Sequence, residues 1–121
     1  MVRTCLLITD DPDDYFEYSE AMYEVAEDSV VLMVSDVAKA TDLLLLRRCI
    51  PELVLLSTNI AGLRPEFLFE TLAQLPEFSH VRVVGFGEHP EVLEAFKGQV
   101  FAIAPAPMGY SELKEFLSRL L

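Results

Sequence analysis

The 121-residue sequence predicts an α/β fold in which one five-stranded parallel sheet is doubly wound by helices on both faces. Five short apolar runs alternate with helix-length segments as far as Leu121. The runs are almost continuously apolar, which is typical of strands that are covered on both faces in a parallel sheet. Since no linker, repeat or low-complexity tract interrupts the alternation, we expect residues 1–121 to form one stand-alone domain without an output domain.

The five predicted strands are short and end at turns or helix-start signals. They cover residues 4–9, 30–34, 53–57, 81–86 and 100–104. In a doubly wound sheet the carboxyl ends of the strands lie at one edge, where ligands usually bind. Residues at the ends of these strands are therefore the first candidates for a functional site.

Helix-start signals follow every predicted strand. They are Asp11-Pro12, Ser35-Asp36, Pro65-Glu66, His89-Pro90-Glu91 and residues 109–112. Stripes of side chains at helical spacing predict the core-facing sides of the second and last helices. These stripes are Val37, Thr41, Leu44, Leu45 and Arg48, and then Leu113, Phe116, Leu117 and Leu120. The first helix carries aromatic residues on two sides: Phe16 and Tyr23 lie on one, and Tyr15 and Tyr18 lie nearer another. We expect one of these sides to pack in the core and the other to form a partner patch.

The composition excludes several classes of protein. The formal net charge of -11 argues against nucleic-acid binding, because phosphate backbones need clustered basic side chains. The longest apolar stretches, such as residues 43–46, fall far short of the roughly 20 residues of a membrane span. Without a recognisable secretory signal, the protein is expected in the cytoplasm. In that compartment Cys5 and Cys49 are expected to be buried, reduced thiols.

The acidic string at residues 10–14 has a structural explanation. Pro12 can start the first helix, Asp11 can cap it, and Asp13 and Asp14 lie favourably at its positive end. The string lacks the internal Gly and the closing Glu of an EF-hand loop. Its charge also repels the phosphate of a flavin or nucleotide.

Three segments resemble response-regulator receiver domains of the CheY-like superfamily. The matching stretches are LLITDDPDD at residues 6–14, PELVLLSTNIAG at 51–62 and APMGYSEL at 106–113. The usual family forms of the last two are P-D-L-V-L-L-D with a Pro-Gly loop, and Lys-Pro-Phe-x-x-x-Glu-Leu. The resemblance implies a flavodoxin-like (βα)5 fold and a role in two-component or phosphorelay signalling.

In that family an Asp on the third strand accepts a phosphoryl group from a histidine kinase, and two acids after the first strand hold Mg²⁺. Here Ser57 stands at the acceptor position, and a hydroxyl cannot form the acyl phosphate. The acidic pair aligns with Thr9 and Asp10, although a shift of one residue makes it Asp10 and Asp11. We therefore expect Thr9, Asp10 and Asp11 to form a remnant acidic pocket, in which Asp10 and Asp11 bind Mg²⁺ weakly at most.

The other phosphoryl contacts of the family are missing as well. Its Lys aligns with Ala106, and its Ser/Thr aligns with Gly87, or with Phe86 after a shift of one residue. The aromatic residue that commonly rotates on activation aligns with Ile103. A site with fewer carboxylates needs fewer positive charges to balance it. The absence of a carboxylate at Ser57 is therefore consistent with the absence of an ammonium group at Ala106.

These departures predict a pseudo-receiver: not an enzyme, without a cofactor, and independent of phosphorylation. Its expected partners are signalling proteins, namely a histidine kinase, a phosphotransfer protein or another regulator. Two alternatives stay open. The chain is still phosphorylated, on Asp10 or Asp11, or it is a scaffold module outside two-component signalling.

Receiver domains usually meet partners or dimerise through the fourth helix, fifth strand and fifth helix. In this sequence the fourth helix, between His89 and Lys97, is predicted to be short, and the following edge at residues 100–108 is apolar. We therefore expect Phe101 and Ile103 to lie close to a partner or homodimer contact.

Overall fold

The computed structural model describes residues 3–121, and their five strands form one parallel sheet. The strands are β1 (Arg3–Ile8), β2 (Ser29–Val34), β3 (Leu53–Ser57), β4 (Arg82–Phe86) and β5 (Val100–Ile103). Their order across the sheet is β2-β1-β3-β4-β5, and every neighbouring pair is parallel. The predicted fold class is confirmed, and each strand end lies within one residue of its predicted position.

Within residues 3–121, four α-helices and two 3-10 helices connect the strands. They are α1 (Pro12–Val25), α2 (Val37–Leu45), α3 (Glu66–Gln74) and α4 (Tyr110–Leu120), with 3-10 helices at Pro76–Phe78 and Pro90–Phe96. The prediction of an α-helix after His89 is wrong in type, because that segment is the second 3-10 helix. The N–H groups of Val92 and Lys97 donate to the carbonyls of His89 and Glu94, three positions earlier, which is the hydrogen-bond spacing of a 3-10 helix.

Side-chain caps explain where the first two helices begin. The Asp11 carboxylate accepts a hydrogen bond from the N–H of Asp13 at 2.9 Å, and Asp36 accepts one from Lys39 at 2.8 Å. Each bond satisfies a backbone donor that the first helical turn leaves without a partner. The sequence signals for these helix starts are confirmed.

The core has two layers, one on each side of the sheet. Along β1, Cys5 and Leu7 pack toward α1 and α4, whereas Leu6 and Ile8 pack toward α2 and α3. This division follows from the alternation of side chains along a strand. The predicted burial of two unpaired cysteines is confirmed, since Cys5 and Cys49 are both buried and free. Within residues 3–121 no helix has the length and apolar character to cross a bilayer.

The predicted helix stripes are confirmed in part. Leu113, Leu117 and Leu120 of α4 are buried, with Phe116 packed at the edge of the core. In α2, Val37 and Leu44 are buried, but the prediction for Leu45 and Arg48 is wrong, and both are exposed. The helix ends at Leu45, and a positive φ of 53° at Arg47 turns the chain away from the helical path.

The aromatic residues of α1 divide between core and solvent. Tyr18 is buried against Phe86, with ring centroids 4.7 Å apart, and Tyr15 is partly buried. Phe16 and Tyr23, seven positions apart and thus on one side of the helix, are exposed.

Candidate functional site

The candidate positions lie at the carboxyl edge of the sheet. Ser57 ends β3, Thr9 and Gly87 directly follow β1 and β4, and Ala106 lies three residues beyond β5. In the strand order, β1 and β3 are neighbours at the point where the chain changes direction across the sheet. Such a switch point opens the crevice in which doubly wound proteins bind ligands.

Ser57 is completely buried and is already engaged by its own loop. Its hydroxyl accepts a hydrogen bond from the N–H of Asn59 at 3.1 Å, and its backbone pairs with Phe86 of β4. Among residues 3–121 no His or carboxylate hydrogen-bonds to this hydroxyl. A serine without an adjacent base is a weak nucleophile.

Thr9 links the end of β1 to the first turn of α1. Its buried hydroxyl donates to the Asp14 carboxylate at 2.7 Å and accepts from the N–H of Asp11 at 3.2 Å. Asp10 and Asp11 are exposed, and the Asp11 carboxylate caps α1. The carboxylate that reaches back to the end of β1 is therefore Asp14, which the sequence interpretation assigned only to the helix terminus.

The pKa of Asp14 lies above the usual range for an aspartate. Partial burial is the main cause, and the negative charges of Asp11, Asp10 and Asp13 add to it. The hydrogen bond from Thr9 acts in the opposite direction, since it favours the charged form.

Two side chains after β3 bind the loop after β4. The hydroxyl of Thr58 donates to the carbonyl of Phe86 at 3.0 Å and accepts from the N–H of His89 at 3.1 Å. The side-chain oxygen of Asn59 accepts from the N–H of Glu88 at 2.9 Å. A further bond of 2.7 Å joins the N–H of Thr58 to the Phe86 carbonyl. Sequence reasoning missed Thr58 and Asn59, since their partners lie about 30 positions away.

Gly87 has a structural reason for lacking a side chain. Its φ is +116°, which L residues rarely adopt, and a Cβ there would lie 2.5 Å from the Thr58 hydroxyl oxygen. The space that a Ser or Thr side chain at position 87 would enter is thus occupied by Thr58. The presence of Thr58 in this space is therefore consistent with the absence of a side chain at position 87.

Ala106 lines an acidic cleft of about 270 Å³. The cleft is also lined by Asp14, Glu17 and Glu88, and within the described part of the chain its lining includes no Lys or Arg. An anion entering this space would meet negative side chains without a cation to compensate them. The electrostatics therefore oppose phosphate binding.

The donor atoms at this edge do not fit a receiver-type magnesium site. In residues 3–121 no three His, Cys, Asp or Glu side chains lie together as a potential metal group. Thr9 and Ser57 offer hydroxyls that are engaged with Asp14 and Asn59. Since Mg²⁺ prefers octahedral oxygen ligands that include carboxylates, binding through Asp10 and Asp11 stays a prediction for a weak site.

The last predicted site position, Ile103, does not line the acidic cleft, but it lines an adjoining pocket of about 570 Å³ together with Gly87, Glu88 and Ala106. Ile103 and Phe101 of β5 are 40% and 58% exposed, and the pairing of β5 with β4 shifts register between Val83 and Val84. The guanidinium of Arg82 lies 5.1 Å from the centre of the Phe101 ring. Val92 of the neighbouring 3-10 helix is exposed as well. The short 3-10 helix leaves this edge of the sheet uncovered.

No protein-family model matches the sequence, and no curated protein matches it. Solved structures do match along almost the whole chain. One is a response regulator in red light signaling of R. palustris, with a TM-score of 0.77 and 19% identity, covering 98% of this chain and 90% of that one. Another is the receiver domain of a sensor histidine kinase from Pseudomonas aeruginosa, solved with a magnesium ion coordinated in the active site cleft. Its TM-score is 0.76 at 14% identity, covering 99% and 98% of the two chains.

A third match is the phosphorylated cyanobacterial phytochrome response regulator RcpA, with a TM-score of 0.73 and 18% identity, covering 99% of this chain and 91% of that one. Two of these three proteins are response regulators, and one is the receiver domain of a sensor histidine kinase. At these identities the likeness establishes the fold. The chain therefore has the fold of response-regulator receiver domains, as the sequence resemblance implied.

Proposed function

We propose that this protein is a receiver-like module of two-component or phosphorelay signalling that works without accepting a phosphoryl group. It acts by binding other signalling proteins, such as a histidine kinase, a phosphotransfer protein or a second regulator. The observation that carries the proposal is the direct bonding of the β3 and β4 loops through Thr58 and Asn59, beside a buried Ser57.

In a phosphorylated receiver, the resemblance implies, a phosphoryl group on the third strand is bound by a Ser or Thr after the fourth strand. In this protein the corresponding loops contact each other without an intervening group. The bond from Thr58 to Phe86 is buried, the bond from His89 to Thr58 is partly buried, and the bond from Glu88 to Asn59 is exposed. A satisfied network of this kind favours a single arrangement. We infer that the loops stay in one conformation and do not switch.

The charges of the cleft support the same proposal. A transferred phosphoryl group needs cations around it, but Ala106 stands at the Lys position and the cleft is lined by acids. The alternative acceptors are also poorly placed, since Asp11 caps α1 and Asp10 is exposed to solvent.

An apolar edge remains available for a partner. Phe101, Ile103 and Val92 expose side chains around β5, where the fold class commonly forms contacts. We propose this edge as the surface for a signalling partner or for a second copy of the chain. Binding of a partner at this edge does not require phosphorylation of Ser57.

The decisive experiment is a titration of the isotope-labelled protein with Mg²⁺ and beryllofluoride, followed by amide NMR. We expect no shift changes in the loops after β1, β3 and β4. A matched sample of the Ser57→Asp/Ala106→Lys variant tests whether the assay detects a partly restored site. Saturable shifts around Asp10, Ser57 and Gly87 in the unmodified protein would contradict the proposal. Mg²⁺-dependent labelling by a small phosphodonor would instead favour Asp10 or Asp11 as acceptors.

A further inference from the structure

A groove lies between α2 and the loop that leads from β3 into α3. Its volume is about 360 Å³, and apolar side chains from both elements line it, among them Val37, Ile60, Leu63 and Phe67. This size falls in the range of about 300–1,000 Å³ that is typical of binding pockets. The groove is distinct from the acidic cleft, with which it shares no lining residue.

Phe67 stands at the rim of the groove with 66% of its surface exposed. It makes no ring contact with another aromatic residue among residues 3–121. A phenylalanine left in water forgoes the burial that normally stabilises it by roughly 1.5–3 kcal/mol. A partner that covered Phe67 would recover part of that free energy.

The polar groups in the walls are largely satisfied within the protein. The Thr41 hydroxyl donates to the carbonyl of Val37 at 2.8 Å, and the Asp36 carboxylate caps α2. The groove therefore offers apolar surface rather than a set of free donors and acceptors. Such a surface suits the apolar side chains of a peptide segment better than a polar metabolite.

Charges at the rim indicate which kind of segment fits. Asp42 and Arg64 line the groove, and within residues 3–121 neither side chain forms an ion pair or hydrogen bond. The groove is lined by two acidic side chains, Asp36 and Asp42, and one basic side chain, Arg64. The chain as a whole carries a formal net charge of -11. Long-range attraction and the local charges both favour a partner with an excess of Lys or Arg.

We infer that this groove binds a net-basic amphipathic helix of a partner protein, which places its apolar side chains between α2 and α3 and over Phe67. In this mode of recognition, apolar side chains at helical spacing on the partner helix bind in the groove. The inference does not depend on the chemistry of Ser57, because the groove and its charges lie outside the cleft. Its failure is therefore distinguishable from failure of the proposed function.

The test is a titration of the full chain with an amphipathic peptide of about 14 residues, or roughly four helical turns. The peptide carries Leu at helical spacing on one face and Lys on the other, and the control peptide replaces every Lys with Glu. We expect saturable amide shifts at residues 36–42 and 60–67 with the Lys peptide, and binding at least about tenfold weaker with the Glu peptide.

Two variants and one matched control sharpen the test. Phe67→Asp is expected to weaken binding of the Lys peptide by about tenfold or more. Phe16→Asp changes a phenylalanine of the same 66% exposure on α1, outside the groove, and is expected to leave binding within about twofold. Asp42→Lys, a surface change that spares the core, should weaken the Lys peptide and strengthen the Glu peptide.

Three results would overturn the inference. The first is the absence of shifts at peptide concentrations of about 1 mM, which corresponds to only about -4 kcal/mol of binding. The second is a shift pattern centred on Phe101 or α1. The third is equal binding of the two peptides.

Discussion

Thr58 and His89 lie 31 positions apart in the chain, yet the N–H of His89 donates a hydrogen bond of 3.1 Å to the Thr58 hydroxyl. The same hydroxyl donates to the carbonyl of Phe86 at 3.0 Å, so one side chain joins the loops after β3 and β4. Thr58 is buried; its bond to Phe86 is buried and its bond from His89 is partly buried. Thr58 therefore bonds the loops after β3 and β4 directly to each other at the carboxyl edge of the sheet.

Replacing the Thr58 hydroxyl should destabilise the protein. Thr58→Val keeps the approximate shape but leaves the N–H of His89 without its partner, so we expect the free energy of unfolding to fall by about 1–3 kcal/mol. Urea denaturation measures this loss. Thr41→Val is the control, because the partly buried Thr41 hydroxyl bonds only to its own helix, and a loss below about 1 kcal/mol is expected. Equal losses in the two variants would contradict the joining role of Thr58.

A side chain at position 87 should not be tolerated while Thr58 is present. Gly87→Ala places a Cβ about 2.5 Å from the Thr58 hydroxyl oxygen and forces an unfavourable φ, so a loss of roughly 1–3 kcal/mol is expected. The control is Gly98→Ala, where a Cβ meets no atom within 4 Å. The double variant Gly87→Ala/Thr58→Ala should lose less free energy of unfolding than the two single variants lose together. Simple additivity would show that the two positions do not compete for space.

Ser57→Asp tests whether a serine at position 57 makes the protein more stable than a carboxylate there would. A carboxylate at this completely buried position lacks a nearby cation, so its pKa should rise and the charged form should destabilise the fold. We expect Ser57→Asp to be about 1–3 kcal/mol less stable than Ser57→Asn at pH 7, with a smaller gap below about pH 4. Ala106→Lys should recover part of the loss. An Asp variant as stable as the unmodified protein would refute the repulsion argument.

The raised pKa of Asp14 predicts a dependence of stability on pH. Because the folded state holds the Asp14 proton more tightly than the unfolded state, stability should fall as the pH rises from about 4 through the raised pKa. Asp14→Asn removes this loss and keeps an acceptor for the Thr9 hydroxyl. We expect a gain of less than about 1 kcal/mol at pH 7, since Asp14 is only partly buried, and no gain below about pH 4. Chemical denaturation at the two pH values checks this, and a gain of equal size at both would argue against titration of Asp14.

Phe101 provides the test of the apolar edge. A charge in place of this 58% exposed ring should disrupt a contact that buries it, while leaving the core intact. We expect Phe101→Asp to lower the oligomeric state measured by light scattering, or to weaken binding to a co-purifying signalling protein by about tenfold. Phe16→Asp is the matched control. Unchanged mass and unchanged binding would exclude this edge as the contact surface.

Much of the fold could be read from local patterns. Continuous apolar runs predicted five parallel strands, but the predicted burial is wrong for the edge strands β2 and β5, which are partly exposed. Asp11 and Asp36 marked helix starts that their capping bonds explain. These signals act over a few residues, so they can be read without knowledge of the tertiary contacts. Two other predictions were wrong, and each has a structural reason. Leu45 is exposed because α2 ends there, and the segment after His89 winds as a 3-10 helix.

The residues themselves determined what the candidate site lacks by comparison with a phosphorylated receiver: Ser57 lacks the carboxylate, Gly87 lacks the hydroxyl and Ala106 lacks the ammonium group. Only the tertiary structure decided what takes their place. Thr58 and Asn59 reach the loop after β4, and Asp14 turns back to Thr9. Hydrogen bonds between loops depend on how parallel strands bring distant positions to one edge of the sheet, and no local periodicity in a single sequence records that proximity.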